Sequence, residues 1–300
     1  LLWYPFEEIW DVAHLGRALR DFQYIGATMI ILFFIGIKDD IIGTAPVKKL
    51  AGHLVVAFIL VIMGDIRITS MHGIFGIHEL PEWAGIFLSI LTYTVVVNAI
   101  NLIDGIDGLA GGVGVIASMA MGFWFYIAGA YEYAVLAGSL SGSLIGFLVY
   151  NFSPAKIFMG DSGSLTIGLV LSVLAIKLIE YPIDLVPNEL IRISKPVFAM
   201  SALVYPLTDT LRIFIYRIAR GISPFAADKN HIHHRIIELG LGHRQTILLI
   251  YAASIFMIAL STSIHERPGI VLIITALVAL IISQIPGILV YIKKRGRKSE

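Results

Sequence analysis

Nine predominantly apolar segments of 17 to 24 residues divide this chain: 21–38, 47–64, 83–101, 109–128, 132–150, 163–179, 196–216, 246–263 and 269–292. A helix crosses the hydrocarbon core of a bilayer in about 20 apolar residues, so each segment is long enough to span. Hydrophobic residues make up 57% of the chain and charged ones only 14%, against about 25% charged in soluble domains. A soluble globule and a disordered chain are both excluded. Alternation of period two is missing, so the spans are helices rather than barrel strands. The predicted fold class is an all-α polytopic integral membrane protein of about nine transmembrane helices, forming one membrane-embedded domain over residues 1–300. Segment 66–80 is too short and too polar to span; it alternates and turns at His72-Gly73, which predicts a small β-hairpin. Residues 1–20 are mixed, and fit either an amphipathic helix or the remnant of an earlier span.

Nine crossings sort the loops onto two faces. One face holds 38–49, 101–111, 151–161, 212–244 and the tail 293–300; it carries 15 of the 22 Lys and Arg residues. The other holds 1–20, 65–82, 129–133, 180–195 and 264–268, with six. The positive-inside bias places the first face in the cytoplasm and the hairpin in the periplasm. A net charge of +1 gives no general affinity for nucleic acid, and the absence of cysteine excludes disulfides, thiol catalysis and thiolate metal sites.

Asp39, Asp40, Asp104, Asp107, Asp161, Asp209 and Asp228 lie on the first face or at its span ends, and several abut apolar segments directly. An Asp at mid-bilayer costs about 2.5–3.5 kcal/mol, so such a gathering invites a functional reading. Asp39 and Asp40 end the first segment in GIKDDIIG. They read either as a solvated helix terminus or as a base or cation site, since adjacent carboxylates bind hard cations. In NAINLIDGIDGLAGG (98–112), Asn98, Asn101 and Asp104 repeat every three residues and share a face if helical, with Asp107 extending the array. A polar loop closed by glycine is the alternative. In NFSPAKIFMGDSGS (151–164), Asp161 sits just before a span. It is either a plain N-cap or a Mg²⁺ ligand beside a phosphate-favouring helix N-terminus. DKNHIHHRIIELG (228–240) packs His231, His233, His234 and Arg235 into five residues. With Lys229 nearby, the cluster suits a phosphate or pyrophosphate better than zinc. His53, His72, His78, His243 and His265 stand alone and read as structural. Oxygen ligands for Mg²⁺ and a His/Arg cluster for phosphate, on one face, are the inventory of phosphoryl transfer between a lipid and a soluble substrate. No Walker loop or dinucleotide motif is present.

These four motifs, with YPLTDTLRIF (205–214) preceding the histidines, resemble the polyprenyl-phosphate N-acetylhexosamine-1-phosphate transferase family over about residues 25–292. The resemblance implies transfer of a sugar-1-phosphate, most simply GlcNAc-1-phosphate, from a UDP-sugar to polyprenyl (undecaprenyl) phosphate with release of UMP. This is the first membrane step of cell-envelope polysaccharide synthesis, lipopolysaccharide included, at the inner membrane of bacteria. It implies Mg²⁺, with Mn²⁺ as a substitute, held by Asp161 and Asn101. Asp39 and Asp40 become the catalytic pair near the lipid phosphate. Asp104 and Asp107 become nucleotide-side or Mg²⁺-proximal groups. His231, His233, His234 and Arg235 become the pyrophosphate and sugar cluster. Lys49 and Asn98 join them as substrate-binding residues. Related muramoyl-pentapeptide transferases carry a lysine where Gly43 stands and three consecutive histidines; both differences favour a UDP-N-acetylhexosamine donor over UDP-muramoyl pentapeptide. The family has ten to eleven spans and a basic cytoplasmic loop before the DD pair, so its N-terminal helix or helices are expected to be missing here. A homodimer is one assembly open to the chain. The rival class is an ion-coupled transporter, but the acids gather at one face and no inverted repeat is visible.

Overall fold

The computed structural model describes residues 12–221 and 230–296. Asp228, Lys229, residues 1–11 and the tail 297–300, which entered the sequence argument, lie outside the described residues. Eleven elements carry the fold: α1 (Val12–Ile42), α2 (Pro46–Phe58, continued by a wider turn Ile59–Met63), α3 (Glu82–Leu102), α4 (Leu109–Ile127), α5 (Tyr131–Asn151), α6 (Gly160–Ile179), α7 (Lys195–Ala202), α8 (Val204–Ala219), α9 (Ile232–Glu238), α10 (His243–Ser263) and α11 (Pro268–Gly296). All nine apolar segments are helical. Among the described residues seven helices are long and apolar enough to cross a membrane, and α7 with α8 make an eighth as a bent pair. The ninth segment, 21–38, lies inside the 31-residue α1.

The structure corrects the sequence reading in two places. Segment 196–216 is not one straight helix: α7 and α8 meet at Leu203 with a bend of 76°. Pro206 explains the break, because it has no N–H for the carbonyl of Ala202 and its ring would strike that carbonyl in a continuous helix. The hairpin at 66–80 is reduced to one antiparallel bridge, Ser70 with Glu79, closed by a tight turn at Ile74–Gly76. Its backbone bonds Met71 N–H to His78 O (2.8 Å) and Leu80 N–H to Thr69 O (2.9 Å) keep the antiparallel register, but they support no strand among the described residues.

α6 is the axis of the bundle. Leu165, Leu169, Val173 and Ile176 face α1, α2 and α3, while Ile167, Val170, Leu171, Leu174 and Leu178 pack toward α4, α5 and α7. A helix apolar all round belongs in a core. Lipid gives helices no hydrophobic reason to associate, so close approach by small residues matters more than in water. Two glycines provide it. A Cβ on Gly36 of α1 would come within 2.3 Å of Ser162 Cα, and one on Gly168 of α6 within 2.7 Å of Val97 Cα on α3. These contacts draw the ends of α1 and α3 onto the start of α6. At the opposite end of the same pair, buried Asp21 of α1 accepts hydrogen bonds from Lys177 of α6 and from the Tyr133 hydroxyl, each at 2.5 Å.

Candidate active site

The helix ends drawn together by α6 bring three of the sequence motifs to one point. Lys49, in the first turn of α2, places its ammonium 3.2 Å from Asp39 Oδ2 and 2.9 Å from Asn101 Oδ1, and it also bonds Asp161 Oδ2. Asn101 donates through Nδ2 to Asp161 Oδ1 and to Ser164 Oγ, both at 2.8 Å. Asp40 points the other way. It accepts from the backbone N–H of Asp161 (2.8 Å), the N–H of Ser162 (3.2 Å) and the Ser162 hydroxyl (3.0 Å). Those are first-turn donors of α6 with no partner inside their own helix. A carboxylate there also meets the positive end of the helix dipole. The adjacent pair is therefore split: Asp39 belongs to the Lys49 cluster, and Asp40 caps the helix that carries Asp161.

The remaining acidic motif residues serve differently. Asp107 accepts the Ala155 N–H at 3.0 Å, and Asn151 both accepts from Gly108 N–H and donates to Ile157 O, each at 2.9 Å. Together they stitch the 103–108 loop to the 152–159 loop. Asp104 lies partly buried beside the cluster. Burial, followed by the nearby charges of Asp161 and Asp40, pushes its carboxyl up to about 6. Its proton is thus held more tightly in the fold than in the unfolded chain. The stabilisation this gives is complete below about pH 4 and is lost as the pH rises through about 6. Asp104→Asn, which stays neutral, is expected to melt higher than the parent at about pH 8 and alike at about pH 4 in metal-free buffer. An equal difference at both pH values would mean that Asp104 titrates as an ordinary surface carboxyl.

Asn98 does not face the cluster. It donates to Thr94 O at 2.7 Å and meets His53 Nδ1 at 3.1 Å, one helical turn deeper than Asn101 and Lys49 respectively. His53, read from sequence as an isolated structural histidine, is thereby the partner of a motif residue.

The histidine motif is built on a residue that was given no role from sequence. Asp209 of α8 is fully buried; its Oδ2 meets His231 Nδ1 at 2.7 Å and its Oδ1 accepts the Ile232 N–H at 2.8 Å. Arg212 backs it at 3.6 Å and donates to Asn230 O. His233 meets the Tyr205 hydroxyl through Nδ1 at 3.1 Å, and its Nε2 is buried without a hydrogen-bond partner. That nitrogen lies against Gly105, where a Cβ would come within 2.9 Å of it, so the imidazole abuts the Asp104 loop. Burial, helped by the neighbouring His234, His231 and Arg212, pushes His233 down to about 3 despite Asp209, which keeps it neutral at ordinary pH. His234 packs on His233 with ring centroids 4.3 Å apart. Arg235 is turned outward to Glu238 (3.0 Å) and Asn230. The signal for Asp209 was present, since it sits within the YPLTDTLRIF motif, but nothing in spacing ties it to a histidine 22 residues later.

The residues suit a hard divalent cation. Among the described residues no group of three Asp, Glu or His side chains converges as a closed cage. What converges is two carboxylates and one amide, three oxygens aimed at a single positive charge, now the Lys49 ammonium. All-oxygen ligation by one or two carboxylates, with water and substrate phosphate completing the shell, is what Mg²⁺ prefers.

Residues 22–179 match the family described as Glycosyl transferase family 4. The chain belongs to this family. Among proteins similar to this member of Glycosyl transferase family 4 is the decaprenyl-phosphate N-acetylglucosaminephosphotransferase of Mycobacterium leprae, 33% identical over 234 residues, covering 72% of this chain and 58% of the relative. The protein of the same name from Mycolicibacterium smegmatis is 33% identical over 276 residues, 85% of this chain and 67% of the relative. The undecaprenyl-phosphate alpha-N-acetylglucosaminyl 1-phosphate transferase of Escherichia coli O157:H7 is 28% identical over 263 residues, 84% of this chain and 69% of the relative. The chain thus spans 58% of the length of the Mycobacterium leprae relative.

Proposed function

We propose that this chain transfers N-acetylglucosamine-1-phosphate from UDP-N-acetylglucosamine to a polyprenyl phosphate. The observation that carries the reading is the convergence of Asp39, Asn101 and Asp161, from three separate motifs, on one cation position. The names of the similar proteins supply the sugar and the lipid class. In the reaction an oxygen of the lipid phosphate attacks the sugar-bearing β-phosphorus of the donor. The bond from that phosphorus to the bridging oxygen breaks, and UMP leaves with the oxygen and its electron pair. The product is a lipid pyrophosphate bearing the sugar. A phosphate monoester has its second pKa near 6, so it is largely ionised at pH 7 and needs no base to deprotonate it.

The residues divide the work of positioning and charge neutralisation, which dominates such reactions. Asp161, Asn101 and Asp39 would hold Mg²⁺, with Mn²⁺ as substitute, and the ion would supply neutralisation of the diphosphate charge. Lys49, beside those oxygens, is placed to offer its ammonium to a phosphate oxygen of the donor. Asp40 fixes α6 so that Asp161 cannot turn away. His233 offers its idle Nε2 edge to the sugar-phosphate with His234 packed on it, and Asp209 sets the orientation of His231. Two apolar clefts of about 170 and 200 Å³ flank the α7–α8 bend and share Val204, Thr208, Met257 and Ala279; the second reaches Tyr205 and Ile232 beside the histidines. They suit the hydrocarbon chain of the acceptor.

The carboxylate end of the bundle faces the cytoplasm of a bacterial inner membrane in this reading, which the excess of Lys and Arg on those loops supports. One experiment tests donor, acceptor and sidedness together. Sealed inside-out vesicles holding the chain, given polyprenyl phosphate and Mg²⁺, are expected to make radiolabelled lipid from UDP-N-acetylglucosamine, in preference to UDP-N-acetylgalactosamine or UDP-muramoyl pentapeptide. Right-side-out vesicles are expected to make none. Flux of a solute without lipid product would replace the transferase with a transporter.

A further inference from the structure

The end of the bundle away from the carboxylates contains a second polar cavity, of about 570 Å³, where the 66–80 turn, the segment before α7 and the turn before α11 meet. His72, His78 and His265, scattered in sequence, line it together with Arg192, Ser194 and Lys195. Donors outnumber acceptors there. Lys195 is only 5% exposed, and its ammonium bonds a backbone carbonyl, that of Tyr181. The nearby carboxylate of Glu180 is already engaged: it accepts from Thr69 N–H (2.9 Å) and the Thr69 hydroxyl (2.5 Å), and lies 3.8 Å from His72 Nε2. Glu266 reaches the cavity from its exposed rim. The Ser194 hydroxyl is buried with no partner and does not cap α7, whose N-terminus it precedes. A buried cation, an idle hydroxyl donor and the positive end of a helix dipole are complementary to an oxyanion with several acceptor oxygens.

The cavity adjoins an apolar cleft of about 300 Å³ with which it shares Ser70 and Pro196, walled by Met71, Leu91, Val95, Ala199 and Leu207. A polar chamber beside an apolar one fits an amphiphile. We propose that this end of the protein binds a lipid phosphate, the head group among Ser194, Lys195, Arg192 and the three histidines, and the chain in the cleft beside α3 and α7. Free phosphate shares the head-group chemistry but has nothing to place in the cleft. The site lies a full membrane span from the cluster of Asp39, Asn101 and Asp161, and stands whether or not that cluster transfers a sugar.

The test uses the full chain in phosphatidylcholine nanodiscs and a phosphatidic acid probe with a diazirine in its acyl chain. Cross-links are expected to concentrate on Leu88–Val95 and Ala199–Met200. The double variant Arg192→Gln, Ser194→Ala is expected to lower that labelling about tenfold or more, as loss of charge-assisted hydrogen bonds should, while labelling of α10 is unchanged. Lys195 is left in place because it is buried. Equal labelling of parent and double variant overturns the site, as does equal labelling by a phosphatidylcholine probe. Displacement of the lipid probe by an equal concentration of inorganic phosphate overturns the lipid assignment in favour of a free ion.

Discussion

Asp161→Asn is expected to lower turnover by about a thousandfold while leaving the chain folded. Loss of a single electrostatic contact to the developing transition-state charge costs about 10²–10³ in rate, and in the proposed reaction the contact is a full charge shared with the cation. The fold survives because little of what Asp161 does structurally depends on its ionisation. Its backbone N–H still reaches Asp40, and an Asn side-chain oxygen still accepts the 2.8 Å bond from Asn101. What disappears is one of the two carboxylates that face Lys49. The measurement is initial-rate formation of labelled lipid at saturating donor and acceptor, with melting temperature as the control. A variant within tenfold of the parent would remove Asp161 from the cation site. A variant that melts far lower would show that its charge holds the helices together instead.

Lys49→Ala is expected to move two quantities in opposite directions. Its ammonium now sits on the three oxygens proposed to hold the cation, so a metal bound there would compete with it. Removing it leaves Asp39 and Asp161 without a counter-charge. The Mg²⁺ concentration for half-maximal rate should then fall about tenfold, a difference of about 1.4 kcal/mol. Turnover should fall about a hundredfold, because a phosphate loses its charged partner. Lys49→Arg should restore part of the turnover and little of the geometry, since a planar guanidinium cannot occupy the point where the three oxygens converge. A half-maximal Mg²⁺ concentration unchanged in Lys49→Ala would place the metal elsewhere, whatever happens to the rate.

How much of this was legible in the sequence depends on the range of the interaction. The spans were legible because apolar length is a local property; all nine segments are helical. The break at Leu203 was written in Pro206, yet an apolar run on both sides hid it from any argument based on length. The 66–80 turn kept its antiparallel register but not its strands, because only one residue pair bridges before the chain turns away. The carboxylate cluster was visible as three motifs, but no spacing says that Lys49 will meet Asn101 and Asp161 across 52 and 112 residues. Two assignments changed meaning for the same reason. Asn98 shares a helical face with Asn101 only loosely, and one turn is enough to give it His53 in place of the cluster. Asp40 is next to Asp39, yet adjacent residues on a helix point about 100° apart, so one faces Lys49 and the other the end of α6.

The two contacts between α1 and α6, at opposite ends of the pair, have a mechanical consequence. Asp40 grips the start of α6 and Asp21 grips Lys177 near its finish. A slip of one residue along the axis is about 1.5 Å, and it would break both grips at once while driving Gly36 against Ser162. The two helices therefore behave as a splint, stiff against sliding and twisting alike. Any sliding between helices has to come from elsewhere in the bundle than this pair, and the bend of 76° where α7 meets α8 marks a place where the helix direction already changes.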